Sequence, residues 1–157
     1  MREVPVLEST IEIAAPGPRV WELVSDVRRM HEWSPQVTST RLRSGYDEVA
    51  LGAQFINRNR LGELEWTTHA EIVRFDPERE LAFRVEENWV IWSFVLEPTV
   101  VGTRLTQRRE TPEGISDLSH ELTEGFLGGQ EAFTVSMRDG TAQTLAAIKA
   151  AAERPEG

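Results

Sequence analysis

The sequence predicts an α+β fold in which a curved antiparallel sheet wraps a long C-terminal helix. Three observations predict it. Short alternating segments fill the first two-thirds of the chain, the links between them are too brief for a helical crossover, and from Gln130 onward the period changes to that of a helix. At 157 residues the chain is one domain in length, with no repeat, linker or low-complexity tract.

From Val6 to Ile13, Leu7, Ser9, Ile11 and Ile13 alternate with Glu8, Thr10 and Glu12, the pattern of a half-buried strand. Ala15-Pro16-Gly17-Pro18 stops it, and Pro18 suits the first turn of a helix carrying Val20, Trp21 and Val24. Asp26 caps a second short helix that ends near Trp33-Ser34-Pro35. Six strands follow: Val37 to Leu42, Ala53 to Asn59, Leu64 to Arg74, Leu81 to Glu86, Trp89 to Glu97 and Thr103 to Glu110. Leu61-Gly62-Glu63, Asp76-Pro77-Glu78 and Val101-Gly102 are turn-length links between antiparallel neighbours. After Thr111-Pro112-Glu113-Gly114, Ser116 caps a short helix through Glu121, which Gly125, Gly128 and Gly129 interrupt. From Gln130 to about Glu153, Phe133, Met137, Thr141, Thr144, Leu145 and Ile148 mark one face of a helix roughly 35 Å long. That stripe needs a cover, and only the concave sheet can supply it.

The net charge of -9, from 26 acidic and 17 basic residues, opposes binding to a phosphate backbone, so no nucleic-acid partner is expected. The pairs Arg28/Arg29 and Arg108/Arg109 stand beside acids and read as a solvated face. The absence of cysteine removes disulfides and thiolate chemistry and suits a reducing compartment, hence a cytoplasmic location. No signal-peptide core is present, and the Trp89 to Leu96 run is too short to insert in a membrane as a helix.

Three stretches carry a family likeness: IEIAAPGPRVWELVSDVRRMHEWSP, GELEWTTHAEIVRFDPERELAFRV, and WSFVLEPTVVGTRLTQRRE ahead of GTAQTLAAIKAAAE. Together they resemble the polyketide cyclase/dehydrase and lipid-transport branch of the START-like superfamily over nearly the whole chain. The resemblance implies a helix-grip fold like that of the birch-pollen allergen. In it a seven-stranded antiparallel sheet grips the C-terminal helix, two short helices follow the first strand, and hydrophobic molecules bind in the tunnel between. It implies function only broadly, because the superfamily hosts carriers, receptors, cyclases and chaperone-associated domains.

Strand parity sorts the side chains, since successive residues point to opposite faces. Leu64, Trp66, Thr68, Ala70 and Ile72 face the helix, as do Phe83 and Val85, then Val90, Trp92, Phe94 and Leu96, then Leu105. The same parity turns Asn57 and Asn59 inward with Phe55, and Gln107 and Arg109 inward with Leu105. A buried amide without a partner costs about 1 to 3 kcal/mol, and a guanidinium more, so something must satisfy these groups. Either they pair with one another, or Arg109 at the strand end reaches solvent along its stem, or they are the polar fixtures of an otherwise apolar ligand site. Trp66 and Trp92 fit a pocket wall or plain core equally. Trp21 belongs to the core, whereas Trp33 and Trp89 suit a rim or an exposed patch.

Hydrolytic or acyl-transfer chemistry needs a nucleophile beside a base. His69 falls on the outer parity, His120 in the broken helix and His31 at a helix end, and the only tyrosine, Tyr46, belongs to a turn. No histidine pair has zinc-site spacing and no glycine-rich loop joins a strand to a helix, so neither metal nor cofactor is expected. The leading expectation is a module that binds a small hydrophobic or aromatic molecule. Its wall comprises Phe55, Asn57, Asn59, Trp66, Thr68, Phe83, Trp92, Phe94, Leu105, Gln107 and Arg109, opposite Phe133, Met137, Leu145 and Ile148. A cyclase/aromatase-like enzyme using the same cavity and a protein-interaction domain using Trp89 are the alternatives.

Overall fold

The computed structural model describes residues 7–87, 89–111 and 129–154, with side chains described throughout except those of residues 129–137. Its strands are β1 (Leu7–Ile13), β2 (Val37–Leu42), β3 (Gln54–Leu61), β4 (Leu64–Asp76), β5 (Glu80–Val85), β6 (Ile91–Pro98) and β7 (Thr103–Glu110). Helix α1 (Gly17–Val24) and a 3-10 helix (Val27–Glu32) lie between β1 and β2, and α2 (Gly129–Ala152) ends the fold. All seven strands form one antiparallel sheet in the order β1-β7-β6-β5-β4-β3-β2. This is the curved α+β arrangement that alternation and link length predict, with boundaries within one or two residues of those expected. Val6, the helix after Ser116, His120, Gly125, Gly128, Pro155 and the Phe133 and Met137 side chains lie outside what is described.

The meander follows from turn chemistry. Gly62, with φ 62°, and Glu63 join β3 to β4, and Glu78, with φ 65°, shapes the β4–β5 turn. Between β6 and β7, Thr99 and Gly102 exchange backbone hydrogen bonds of 3.0 and 3.3 Å. Gly102 has φ 150°, and a Cβ there would stand 2.5 Å from the carbonyl oxygen of Ile13. Only glycine lets this hairpin tip approach the end of β1 so closely.

Two apolar clusters fill the interior. The first joins Ile13, Val20, Leu23, Trp33, Phe94, Leu96 and Leu105 to Leu145, Ile148 and Ala152 of α2. The second joins Phe55, Ala70, Ile72, Leu81, Phe83 and Val85 to Val27 and Met30 of the 3-10 helix, and Trp21 packs against both. Polar contacts pin the C-terminal end of α2. Glu153 accepts the Ala14 N–H at 2.7 Å, Lys149 donates to the Glu12 carbonyl at 3.0 Å, and Arg19 donates to the Ala151 carbonyl at 3.2 Å.

Two expectations are corrected. Trp33 is no rim residue: only 6% of it is exposed, within the first cluster and beneath the Arg29 guanidinium at 5.3 Å. Its N–H bonds the Met30 carbonyl at 3.2 Å as the 3-10 helix ends, and burial of so large a ring favours the inward side of that reversal. Arg108 and Arg109 do not share a solvated face. Arg108 pairs with Glu8 at 2.7 Å outside, while Arg109 is buried, because adjacent strand residues cannot face the same way.

Candidate functional site

Cross-strand register places side chains in rows on the concave face. Leu7, Arg109, Trp92, Phe83 and Ile72 form one row. Ser9, Gln107, Phe94 and Leu81 form the next, and Ile11, Leu105 and Leu96 the third. Across β3 and β4, Phe55 faces Ala70, Asn57 faces Thr68 and Asn59 faces Trp66. The parity argument therefore places every sheet residue of the expected wall on one face.

Burial along that face is graded. Phe55, Leu81 and Leu105 have no exposed surface, Gln107 and Asn59 keep a little, and Trp92, Trp66, Thr68 and Leu64 are half-buried. The gradient runs the same way on β3, β4 and β6, whereas on β7 Arg109 beyond Gln107 stays buried. One end of the concave face is sealed by α1 and the last turns of α2, and at the opposite, more open end Trp66, Thr68 and Trp92 are half-buried. Leu145 lies in the sealed end with Leu105. The sheet side of the open end is formed by Trp66, Thr68, Asn59, Trp92 and Arg109.

The polar residues form two separate groups rather than one. β3 and β7 are four strand steps apart, about 19 Å along the sheet. On β3 the amides are satisfied internally. Thr40 donates to Asn57 Oδ1 at 2.6 Å, Asn57 Nδ2 points at the Met30 sulfur at 3.6 Å, and Asn59 Nδ2 donates to Thr68 Oγ1 at 3.1 Å. Sequence reading missed Thr40 and Met30 as partners, although Thr40 stands opposite Asn57 in register.

On β7 the situation differs. Gln107 is 8% exposed and its Oε1 is buried without a hydrogen-bond partner. Beside it Ser9 and Thr141 share a hydroxyl hydrogen bond of 3.0 Å, and Thr141 donates onward to the Arg138 carbonyl. Two residues along the strand, Arg109 is 5% exposed, and burial pulls its guanidinium down to about 10. It remains a cation at neutral pH. This group can accept a hydrogen bond from a guest through Gln107 and offer positive charge through Arg109.

Among the described inward positions there is no carboxylate, histidine or tyrosine to act as a base. His31 is exposed, and Tyr46 packs against the second cluster from the link between β2 and β3. Sequence parity also missed Phe75. The register shifts between Ile72 and Arg74, and beyond this bulge Phe75 joins the second cluster, edge-on to Trp21 at 5.3 Å. No local sequence signal marks that bulge.

A family model described as polyketide cyclase / dehydrase and lipid transport matches residues 5–153. The solution structure of the Polyketide_cyc-like protein Cgl2372 from Corynebacterium glutamicum is 30% identical, with a TM-score of 0.57, over 95% of this chain and 89% of that one. The crystal structure of CV1439 from Chromobacterium violaceum is 15% identical with a TM-score of 0.69, covering 96% and 99% of the two chains. The di-domain ARO/CYC StfQ of the steffimycin biosynthetic pathway is 14% identical with a TM-score of 0.72, over 94% of this chain and 50% of that one. At such identities CV1439 and StfQ share the fold alone. A search of curated proteins finds no match. No helix among the described residues is long and apolar enough to cross a membrane.

Proposed function

Because the chain belongs to the polyketide cyclase/dehydrase and lipid transport family, we propose that it binds a small hydrophobic or aromatic molecule at the open end of its concave face. The guest lies against Trp66, Thr68, Phe83, Trp92 and Phe94, with Asn59, Gln107 and Arg109 at its polar edges. Phe55, Asn57, Leu105 and Leu145 act as the packed backing that holds this wall. Phe133 and Met137, which the sequence places on the opposite side, have side chains outside the described residues.

One observation carries this reading: the unpartnered Oε1 of Gln107, held beside buried Arg109 where the concave face begins to open. Most buried polar side-chain atoms find a partner, and an exception calls for an explanation. A guest hydroxyl or N–H supplies the missing donor. Few polar groups on an apolar wall is also the usual make-up of a small-molecule site.

The test is native mass spectrometry and thermal shift with a chemically diverse aromatic and lipophilic library. At least one class should bind in one-to-one ratio, and Gln107→Leu and Arg109→Met should each weaken it about tenfold, the factor that corresponds to about 1.4 kcal/mol. Absence of any guest, or binding unchanged in both variants, defeats the reading. Should a pull-down partner depend on Trp89 instead, an interaction domain replaces it.

A cyclase/aromatase-like role is the second reading, favoured by the family and by the ARO/CYC relatives of the fold. A shaped wall can hold a poly-β-ketone near its product geometry, with Arg109 polarising a carbonyl. Turnover of such a substrate, abolished by Arg109→Met, would establish it over simple binding.

A further inference from the structure

Outside the concave face, one cluster has convergent donor atoms. His69 on β4 meets the turn that follows β5, where Glu86 and Glu87 stand. The Glu86 N–H donates to the His69 carbonyl at 2.8 Å, and the His69 N–H donates to Glu87 Oε1 at 2.7 Å. Glu87 Oε2 lies 2.6 Å from His69 Nδ1. The turn is thus fastened to the neighbouring strand on both sides of the imidazole. It closes through Trp89 N–H to the Val85 carbonyl at 2.9 Å, with Trp89 at φ 66°.

One donor atom from each of His69, Glu86 and Glu87 lies within 4.8 Å of the other two. Two ligands of one zinc ion, each about 2.0 to 2.2 Å from it, stand at most about 4.4 Å apart. Tetrahedral ligation sets ligand atoms about 3.4 Å apart, so Glu86 must swing inward and the His69–Glu87 pair, 2.6 Å apart, must open by somewhat less than about 1 Å as their hydrogen bond gives way to the ion. Glu86, about half exposed on a flexible stem, can supply that swing, whereas His69 and Glu87 are already held by the backbone. Arg43 stands beside Glu86 at a loose 3.6 Å and is itself hydrogen-bonded to Gln54 at 3.2 Å.

We propose that His69, Glu86 and Glu87 form a binding site for one divalent transition-metal ion of the zinc or cobalt type. The donor set decides the class. An imidazole with two carboxylates suits zinc, cobalt or nickel, whereas magnesium and calcium prefer oxygen alone. On binding, the ion replaces the proton shared between His69 Nδ1 and Glu87, and that proton leaves to solvent. Three protein ligands leave the remaining coordination positions to water. The ion ties the β5–β6 turn to β4 next to the open end of the sheet, so metal would stiffen that rim without entering the ligand wall. This site stands or falls independently of the guest proposed above.

Tag-free protein is titrated with zinc chloride by calorimetry and native mass spectrometry, and with cobalt chloride by visible absorption. One ion per chain is expected, with affinity reduced about tenfold or more in Glu86→Gln and in His69→Ala. Arg43→Ala should bind several-fold more tightly. Glu86→Gln keeps the His69–Glu87 bond and so separates metal ligation from turn closure. His31→Ala and His120→Ala, the other two histidines of the chain, should bind like the parent, and magnesium chloride should not compete. Absence of binding at millimolar zinc, or unchanged affinity in Glu86→Gln or His69→Ala, overturns the site and leaves His69–Glu87 as a turn-closing bond only.

Discussion

A buried acceptor without a donor costs about 1 to 3 kcal/mol, and Gln107 Oε1 is such an acceptor. Gln107→Leu, close in volume and without polar atoms, should therefore raise unfolding stability by about 1 kcal/mol while weakening the guest. Denaturant unfolding read beside a binding titration checks both halves; loss of stability would mean that the oxygen is satisfied. On the outer face, Glu110 behaves oppositely. Burial alone would raise its pKa, but hydrogen bonds from Arg74 at 2.9 Å and Ser93 at 3.0 Å outweigh burial and hold the carboxyl below the ordinary 4.5. A depressed folded-state value means that the stability is present above the ordinary carboxylate range and is lost as pH falls through the folded value. Urea midpoints should thus decline from about pH 4.5 downward, and Glu110→Gln should flatten that decline. A slope unchanged in the variant would assign acid sensitivity to other carboxylates. Gln107 and Arg109 were legible in the sequence because parity alone fixes their face. Glu110 was not, since its partners Arg74 and Ser93 come from two other strands.

Elements in this fold are set by turns more than by strand propensity. At Gly102 the β6–β7 tip presses on the chain leaving β1, and an added Cβ would meet Ile13 O at 2.5 Å and Ala15 N at 2.7 Å. These are backbone atoms, so relief requires the hairpin or β1 to move. Gly102→Ala should cost about 2 kcal/mol or more by thermal melting, whereas Gly45→Ala, also at positive φ but in open space, should cost about 1. Equal losses would mean that φ alone matters. The strands, the Asp26 cap and the long helix could all be read from period and punctuation, because each depends on neighbours within a few residues. The bulge after Ile72 could not. It depends on how β4 pairs with β5, and it carries Phe75 to the face opposite the one that unbroken alternation would assign. Trp33 was likewise unreadable, because its burial depends on the distant arrival of α2 and on Arg29 over its ring.

At the scale of the whole molecule, the concave face divides into a sealed end that holds the fold and a more open end, the one proposed above for a guest. The last turns of α2 lie against β1, β7 and α1, and hydrogen bonds from Ala14, Lys149 and Arg19 fix them there. The second cluster, on β3 to β5, is closed by the 3-10 helix instead. Stability and binding should therefore be separable by position. Leu105→Ala, at a site with no exposed surface in the sealed cluster, should lower stability by about 2 to 5 kcal/mol through lost burial and a residual cavity. Guest affinity should fall little as long as the fold persists. Trp92→Leu, on a half-buried ring beside Arg109, should do the reverse, costing less stability and most of the binding. A guest at a hundred times its dissociation constant stabilises the fold by about 2.7 kcal/mol, so thermal melts with and without it resolve the two effects in a single experiment. In Leu105→Ala both melts should shift down together and the difference between them survive. In Trp92→Leu the free protein should melt near the parent and the difference should vanish. If instead Leu105→Ala erases the difference in a chain that still folds, the sealed end belongs to the binding site and the division of this face into scaffold and mouth is wrong.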